Sequence, residues 1–156
     1  LSKKMKKILL LISIIFIYSC GYSPLYLASK SNLLLNLKEI EGDFELNTYI
    51  KNDFKIASDV NSPNVFNINA VTKIDKVILT KDATGDATDY RLDFSVKFII
   101  ASENSENNVV TYNESFKITK NNQKFEQSNY ERDIKRNFSE IVKDKLVLYL
   151  LNFNDN

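Results

Sequence analysis

Residues 90–100 read YRLDFSVKFII. All six even-numbered positions are apolar, whereas the odd-numbered positions up to residue 97 are charged or polar. Because successive side chains of a β-strand point to opposite faces of the sheet, this alternation predicts a strand. One face of that strand packs on a core, and the other is mostly solvated.

Two further strands are predicted, one on each side of this stretch. Residues 65–80 begin with apolar side chains at even positions, and the pattern changes phase around residues 71–74, which predicts a bulge or bend there. Residues 110–118 form the next strand, with Glu114 out of pattern near its centre. A charge at that place is typical of an edge strand that resists pairing with another sheet; a functional role for Glu114 stays open.

Two amphipathic helices are predicted from apolar residues spaced three and four apart. The first is capped by Asp43, whose carboxylate can accept hydrogen bonds from the free N–H groups of the first turn, and it ends near Asp59. The second helix is long and begins near Ser128, which forms a capping box with Glu131. The apolar face of the first helix contains Leu46, Tyr49, Ile50, Phe54 and Ala57, and that of the second contains Ile134, Phe138, Ile141, Val142, Leu146, Tyr149 and Phe153.

The order of the elements predicts the fold class. A short strand over residues 37–41 precedes the first helix, so the order is β-α-β-β-β-α. Polar loops at residues 81–89 and 102–108 join the last three strands as antiparallel hairpins, whereas the helix after the first strand permits parallel pairing. We therefore expect an α+β fold, a mixed four-stranded sheet with two helices packed on one face. Residues 37–156 have the length of one domain.

The first 19 residues have the composition of a signal peptide. Lysines at positions 3, 4, 6 and 7 precede an apolar run from Ile8 to Tyr18 that only Ser13 interrupts. This run is well short of the roughly 20 residues that a helix needs to cross a bilayer. We expect cleavage before Cys20; an ordinary signal peptide and an uncleaved anchor are the alternatives.

Residues 17–20, Ile-Tyr-Ser-Cys, resemble the lipobox of bacterial lipoproteins. That resemblance implies a covalent lipid on the Cys20 thiol, including palmitate, and no other cofactor. Residues 20–36 are then a lipidated tether, and the rest of the chain is a domain held at a membrane surface. Gly21 stands where an acidic residue would favour retention in the inner membrane, so we expect an outer-membrane lipoprotein on the periplasmic side.

Composition excludes several classes of protein. Four of the 21 basic residues lie in the predicted signal peptide, which leaves 17 basic against 20 acidic residues in the remainder. This balance gives no reason to expect a nucleic-acid partner. The chain has no His and one Cys, so neither a disulfide framework nor a Cys/His metal site nor a Ser/His/Asp triad is available. We expect no catalytic residues and no enzyme.

The residues from Cys20 to Tyr26 read CGYSPLY. This segment is similar to the Cys-Gly-Phe-x-Pro-Leu-Tyr opening of the alphaproteobacterial LPS-assembly lipoprotein LptE family, with Tyr22 in place of the commoner Phe. The predicted order of elements is similar to the fold of that family as well. The resemblance covers nearly the whole chain after Cys20, although its specific residues are few.

The LptE resemblance implies a function and two partners. In that family the lipoprotein plugs the LptD β-barrel translocon, helps it assemble, and contacts lipopolysaccharide. The resemblance implies lipopolysaccharide contact by basic residues around the loop between the second and third strands, here Lys81 and Arg91. The alternative is another periplasm-facing structural lipoprotein, for barrel assembly or envelope interaction, that does not bind lipopolysaccharide.

Overall fold

The computed structural model describes residues 32–101, 107–121 and 123–154. The predicted signal peptide, Cys20 and most of the expected tether lie outside the described residues. The elements in chain order are β1 (Leu34–Glu41), α1 (Phe44–Ala57), β2 (Val65–Lys81), β3 (Ala87–Ala101), β4 (Asn108–Thr119) and α2 (Lys124–Asn154).

The four strands form one mixed sheet in the order β1-β2-β3-β4. β1 runs parallel to β2, and the pairs β2–β3 and β3–β4 are antiparallel. The α+β class, the order β-α-β-β-β-α and the mixed four-stranded sheet are therefore confirmed. The helix between β1 and β2 supplies the crossover that a parallel pair requires.

The core lies between one face of the sheet and the two helices. Every even-numbered side chain from Tyr90 to Ile100 is buried, as the alternation predicts. Phe94 contacts both the sheet and a helix. Its ring centroid lies 5.5 Å from that of Phe116 on β4 and 5.1 Å from that of Phe138 on α2. Phe54 of α1 stacks in the same way on Phe98, at 5.5 Å. We call the opposite, solvated side of the sheet the open face.

Glu114 lies on β4, which is an edge strand of the sheet. Its register partner is Phe94, whose side chain points toward the helices. Glu114 shares that side and lies 3.9 Å from the Lys145 Nζ of α2. The charge thus faces the second helix at the edge of the core.

The start of α1 confirms the predicted cap. Asp43 Oδ1 accepts a hydrogen bond from the Leu46 amide at 2.8 Å. The helix ends at Ala57, because the next residue, Ser58, is extended and its amide bonds the Phe54 carbonyl. This end is within two residues of the expected one.

β1 begins three residues earlier than the alternation predicted, at Leu34 instead of Leu37. Its pairing with β2 is irregular between Leu37 and Glu39. The alternation of apolar and charged residues that begins at Leu37 therefore does not extend back to residues 34–36. Leu33 and Leu35 are both buried. Residues 34–36 therefore belong to the sheet, although their sequence has no clear period.

The predicted phase change in β2 around residues 71–74 is wrong. β2 pairs with β3 without a shift from Asn67 to Ile78, and its irregularities fall later, between Ile78 and Lys81. The alternation of buried residues continues from Ala70 to Thr72, which is only 4% exposed although it is polar. A polar residue fits there because its hydroxyl donates to Asn47 Oδ1 at 2.7 Å and accepts from the Asp43 amide at 3.0 Å.

The predicted start of the second helix at Ser128 is also wrong, because α2 begins at Lys124. The Gln127 amide already donates to the Gln123 carbonyl at 3.0 Å. Ser128 therefore lies inside the helix and forms no capping box. Glu131 bonds side chains of β2 and β3 instead.

Candidate functional site

The hairpin end of β2 and β3 extends past the region that β1 covers. β1 pairs with β2 only as far as Val71, and every residue of β2 from Asp75 to Lys81 is exposed. We call this part, residues 75–91, the arm. Its exposed apolar residues include Val77, Ile78 and Leu79.

The tip of the arm is a tight acidic turn. Asp82 Oδ1 accepts hydrogen bonds from the amides of Thr84 and Asp86, at 2.9 and 3.0 Å, and from the Thr84 hydroxyl at 2.6 Å. These bonds, the Thr84 hydroxyl first, lower the pKa of Asp82 below its ordinary value. Gly85 supplies the positive φ of 90° that the turn needs. The turn therefore keeps its negative charge, which weakens any positive potential at the tip.

A groove of about 590 Å³ separates the arm from the first turns of α2. The arm supplies apolar surface and Lys76, and the opposite side is lined by Lys120, Lys124 and polar side chains. The lining residues are Lys76, Ile78, Ala87, Tyr90, Lys120, Asn121, Lys124, Gln127, Ser128 and Glu131. The groove therefore combines apolar surface with positive charge.

Glu131 lies at the inner end of the groove and accepts three hydrogen bonds on one oxygen. Oε1 receives the Lys76 Nζ at 2.9 Å, the Tyr90 hydroxyl at 2.9 Å and the Gln127 Nε2 at 3.0 Å. The Lys76 Nζ also lies 3.8 Å from the centroid of the Tyr90 ring, a cation–π contact. These contacts join the arm to α2.

The ionisation of this cluster follows from the same contacts. Burial alone would raise the pKa of Glu131, but the bonds from Lys76, Tyr90 and Gln127 outweigh it, so the pKa is lowered. Burial works against the charge on Lys76, yet Glu131 raises the pKa of Lys76 overall. Burial and then Glu131 raise the pKa of Tyr90. At neutral pH the cluster is a carboxylate facing an ammonium and a neutral phenol.

Lys120 and Lys124 have no carboxylate partner at ion-pair distance within the part of the chain that the structure describes. Both flank the short segment between β4 and α2, and both are exposed. With Lys76 held by Glu131, these two lysines supply the uncompensated positive charge of the groove.

The two predicted site residues, Lys81 and Arg91, do not lie together. Lys81 pairs with Ala87 and Arg91 with Val77, so four residues separate them along the strand, roughly 13 Å. Arg91 forms a bidentate pair with Asp93, with Nε–Oδ1 at 2.7 Å and Nη2–Oδ2 at 2.9 Å. That pair raises the pKa of Arg91 and commits its guanidinium, whereas Lys81 is exposed at the end of β2.

Sequence reasoning missed most of the groove. Its lining comes from β2, β3, the segment after β4 and α2, and only the fold brings these together. The lysines on both sides of the segment at residues 121–123 were the one available signal.

Two features are absent from the described residues. Within residues 32–101, 107–121 and 123–154 no group of three or more acidic, His or Cys side chains is arranged to hold a metal ion. In the same ranges no helix combines the length and the apolar character that crossing a bilayer requires.

The architecture defines a class of α+β domain in which two helices cover one face of a mixed four-stranded sheet and the β2–β3 hairpin extends past the part of the sheet that β1 covers. Solved structures of bacterial lipoproteins share this fold. Rare lipoprotein B from Shewanella oneidensis has a TM-score of 0.59 at 14% identity, with 77% of this chain and 98% of that chain covered.

Two further lipoproteins are similar. A minor lipoprotein from Acinetobacter baumannii has a TM-score of 0.54 at 14% identity, covering 76% of this chain and 92% of its own. A lipoprotein from Caulobacter crescentus CB15 has a TM-score of 0.50 at 14% identity, covering 80% and 91%. No protein-family model and no curated protein matches the sequence.

These identities are low, so the likeness concerns the fold. At that level the resemblance to LptE-type lipoproteins, which include rare lipoprotein B, is confirmed. The three solved proteins are named as lipoproteins, and none is named as an enzyme.

Proposed function

We propose that this chain is an outer-membrane lipoprotein, anchored on the periplasmic side through lipid on Cys20. Its domain plugs and helps to assemble the LptD β-barrel and takes part in lipopolysaccharide delivery to the cell surface. One observation carries the proposal: a chain with a lipobox-like segment that continues as CGYSPLY has a fold similar to that of rare lipoprotein B, with 98% of that protein covered at a TM-score of 0.59.

The anchor accounts for how the domain reaches its place of action. Two or three acyl chains on one residue hold a protein stably at a bilayer, whereas one chain does so only marginally. The 12 residues from Cys20 to Ser31 can span at most roughly 40 Å when extended. Tethering raises the local concentration of the domain near a membrane partner.

The open face of the sheet supports the role of a plug. Its β4 side chains are mainly short and hydrogen-bonding, among them the exposed residues Thr111, Asn113 and Ser115. On the neighbouring strand Arg91 and Asp93 neutralise each other. A surface of this kind fits a barrel lumen lined by polar side chains.

The groove supports contact with lipopolysaccharide, a phosphorylated and acylated glycolipid. Lys120 and Lys124 can bind phosphate oxygens by charge-assisted hydrogen bonds, and Ile78 offers apolar surface beside them. Lys81 adds a further cation at the end of the arm. Arg91 contributes less, because Asp93 already binds its guanidinium.

The partner is tested by isolating the lipidated chain from membranes and identifying by mass spectrometry what copurifies. LptD should be recovered in stoichiometric amount, and it should be lost when Cys20 is replaced by Ala. Recovery of a different barrel protein, or of none, would support the alternative of a structural envelope lipoprotein.

Contact with lipopolysaccharide is tested by charge reversal. The pair Lys120→Glu and Lys124→Glu should weaken lipopolysaccharide binding about tenfold or more without lowering the melting temperature. The pair Lys81→Glu and Arg91→Glu should have a smaller effect. Lys51→Glu with Lys55→Glu, on the exposed side of α1, is the matched control, and an equal loss in the control would show that only net charge matters.

A further inference from the structure

The groove contains its own negative charge at the place where a bound anion would meet Lys76. Glu131 Oε1 lies 2.9 Å from the Lys76 Nζ, and both side chains line the groove. Glu131 is thus the only acidic residue among the described groove-lining residues, facing three lysines. Its position raises the question of what the carboxylate does when a ligand is present.

The contact between Lys76 and Glu131 is suited to exchange. The Lys76 side chain is 49% exposed and that of Glu131 is 26% exposed. Ion pairs with this much solvent access are weak, because water competes for both charges. A phosphate group that carries up to two charges can therefore replace the carboxylate at small cost.

Lys76 does not depend on Glu131 alone for its position. Its ammonium lies over the Tyr90 ring, and Tyr90 is buried, so the ring is a fixed support. When an anion displaces the carboxylate, the ammonium can stay at the same place in the groove. Glu131 keeps the hydrogen bonds from Tyr90 and Gln127 during such an exchange.

We propose that Glu131 is an internal counter-ion that holds Lys76 while the groove is empty and yields it to the phosphate of an anionic amphiphile. Glu131 is a positioning residue here and does not touch the ligand. Its charge lowers the affinity of the groove and so favours release as well as capture. The inference rests on the proposed function of the groove and adds how binding there is tuned.

A direct consequence is that neutralising Glu131 should strengthen binding of anions. Glu131→Gln keeps the size of the side chain and an oxygen that can accept from Tyr90. It leaves Lys76, Lys120 and Lys124 without an opposing charge in the groove. The affinity for a phosphate-bearing amphiphile should rise roughly three- to tenfold, the effect of removing one like charge about 5 Å from the ligand in a solvent-rich site.

The experiment uses the chain from residue 20 onward with Cys20→Ser, so that no acyl chain is attached. Dodecyl phosphate is titrated below its critical micelle concentration, and binding is followed by amide NMR shifts. Dodecyl maltoside, with the same apolar chain and no charge, is the second probe. Glu140→Gln, an exposed acid on α2 outside the groove, is the matched variant.

We expect the shifts to map to groove residues such as Ala87 and Ser128, tighter dodecyl phosphate binding in Glu131→Gln, and no gain in Glu140→Gln. Dodecyl maltoside should bind both variants like the parent chain. A purely structural role for Glu131 would loosen the arm and weaken both probes, so unchanged or weaker phosphate binding would overturn the inference. Shifts outside the groove, or no binding by any variant, would overturn it too.

The outcome is independent of the partner experiment. Recovery of LptD with an unchanged phosphate affinity would retain the proposed function and reject the exchange at Glu131. A gain in phosphate affinity without LptD would retain the exchange and reject the role as a plug.

Discussion

Gly42 lies in the turn between β1 and α1 with a backbone φ of +110°. A Cβ at this position would lie 1.9 Å from the Thr72 carbonyl oxygen and 2.5 Å from its hydroxyl. The same hydroxyl bonds Asp43 and Asn47, which begin α1. The close approach of the turn to β2 therefore fixes where α1 starts, and only glycine permits it.

Replacement of Gly42 by Ala should destabilise the protein far more than replacement of Gly85. Gly85 also has a positive φ, of 90°, but a Cβ there meets nothing within 4 Å. Gly85→Ala should cost about 1 to 2 kcal/mol from backbone conformation. Gly42→Ala should cost about 3 to 5 kcal/mol, because overpacking against β2 adds to the same term. Urea unfolding of both variants checks this, and equal losses would contradict the contact with Thr72.

Single residues also show where sequence patterns misled. In the sequence Thr72 interrupts the apolar alternation of β2, because a hydroxyl is unexpected at a core position. In the structure the buried hydroxyl forms hydrogen bonds with partners on β1, the turn and α1. Glu131 fitted a capping box at short range. In the structure it bonds Lys76 on β2 and Tyr90 on β3, which are 55 and 41 residues away in the sequence. A pattern of neighbouring residues cannot predict contacts over such a distance.

Among the elements, β3 is the one that the sequence predicted best. One face of this strand packs on the core, and all its even-numbered side chains from Tyr90 to Ile100 are buried. α2 was recognised by its apolar face, but its first turns are exposed and mostly polar, so the sequence did not indicate where it starts. Buried residues give a hydrophobic pattern that predicts the core. The groove is lined by more exposed residues, which give no such pattern.

β3 provides a test of the core at the scale of an element. Phe94→Asp places a carboxylate at a buried position between Phe116 and Phe138, and folding should be lost because burying a charge is costly. Ser95→Asp adds the same group one residue later on the open face and should change stability by less than about 0.5 kcal/mol. Circular dichroism and thermal melting measure both. A normal melt for Phe94→Asp would contradict the assigned facing.

The contact between the arm and α2 gives the stability a specific pH dependence. The folded-state pKa of Glu131 lies below its ordinary value of 4.5, so its contribution is present above pH 4.5 and is lost as the pH falls through the folded value. Glu131→Gln should cost up to about 1 kcal/mol near pH 7, and the difference from the parent should shrink toward pH 3. Urea titrations from pH 7 to pH 3 measure it, and a difference that stays constant over this range would contradict the ionised contact.

At the scale of the whole molecule, the folded domain and the proposed anchor are separate in the sequence. The buried apolar residues of the described part run from Leu33 to Leu150 and form one cluster that both helices and all four strands contribute to. The proposed site of membrane attachment, Cys20, lies 13 positions before that cluster begins. Folding and anchoring should therefore respond to different substitutions.

Cys20→Ala tests this separation, because Cys20 is the only thiol in the chain. The variant should incorporate no radiolabelled palmitate and should stay as an unlipidated precursor or a soluble periplasmic form. Its circular dichroism and urea midpoint should match those of the unlipidated chain carrying Cys20→Ser, since no core residue changes. Ser19→Ala keeps a small residue before the cysteine and should be labelled like the parent. Palmitate on Cys20→Ala would refute the lipid assignment, and an altered urea midpoint would show that the first residues take part in the fold.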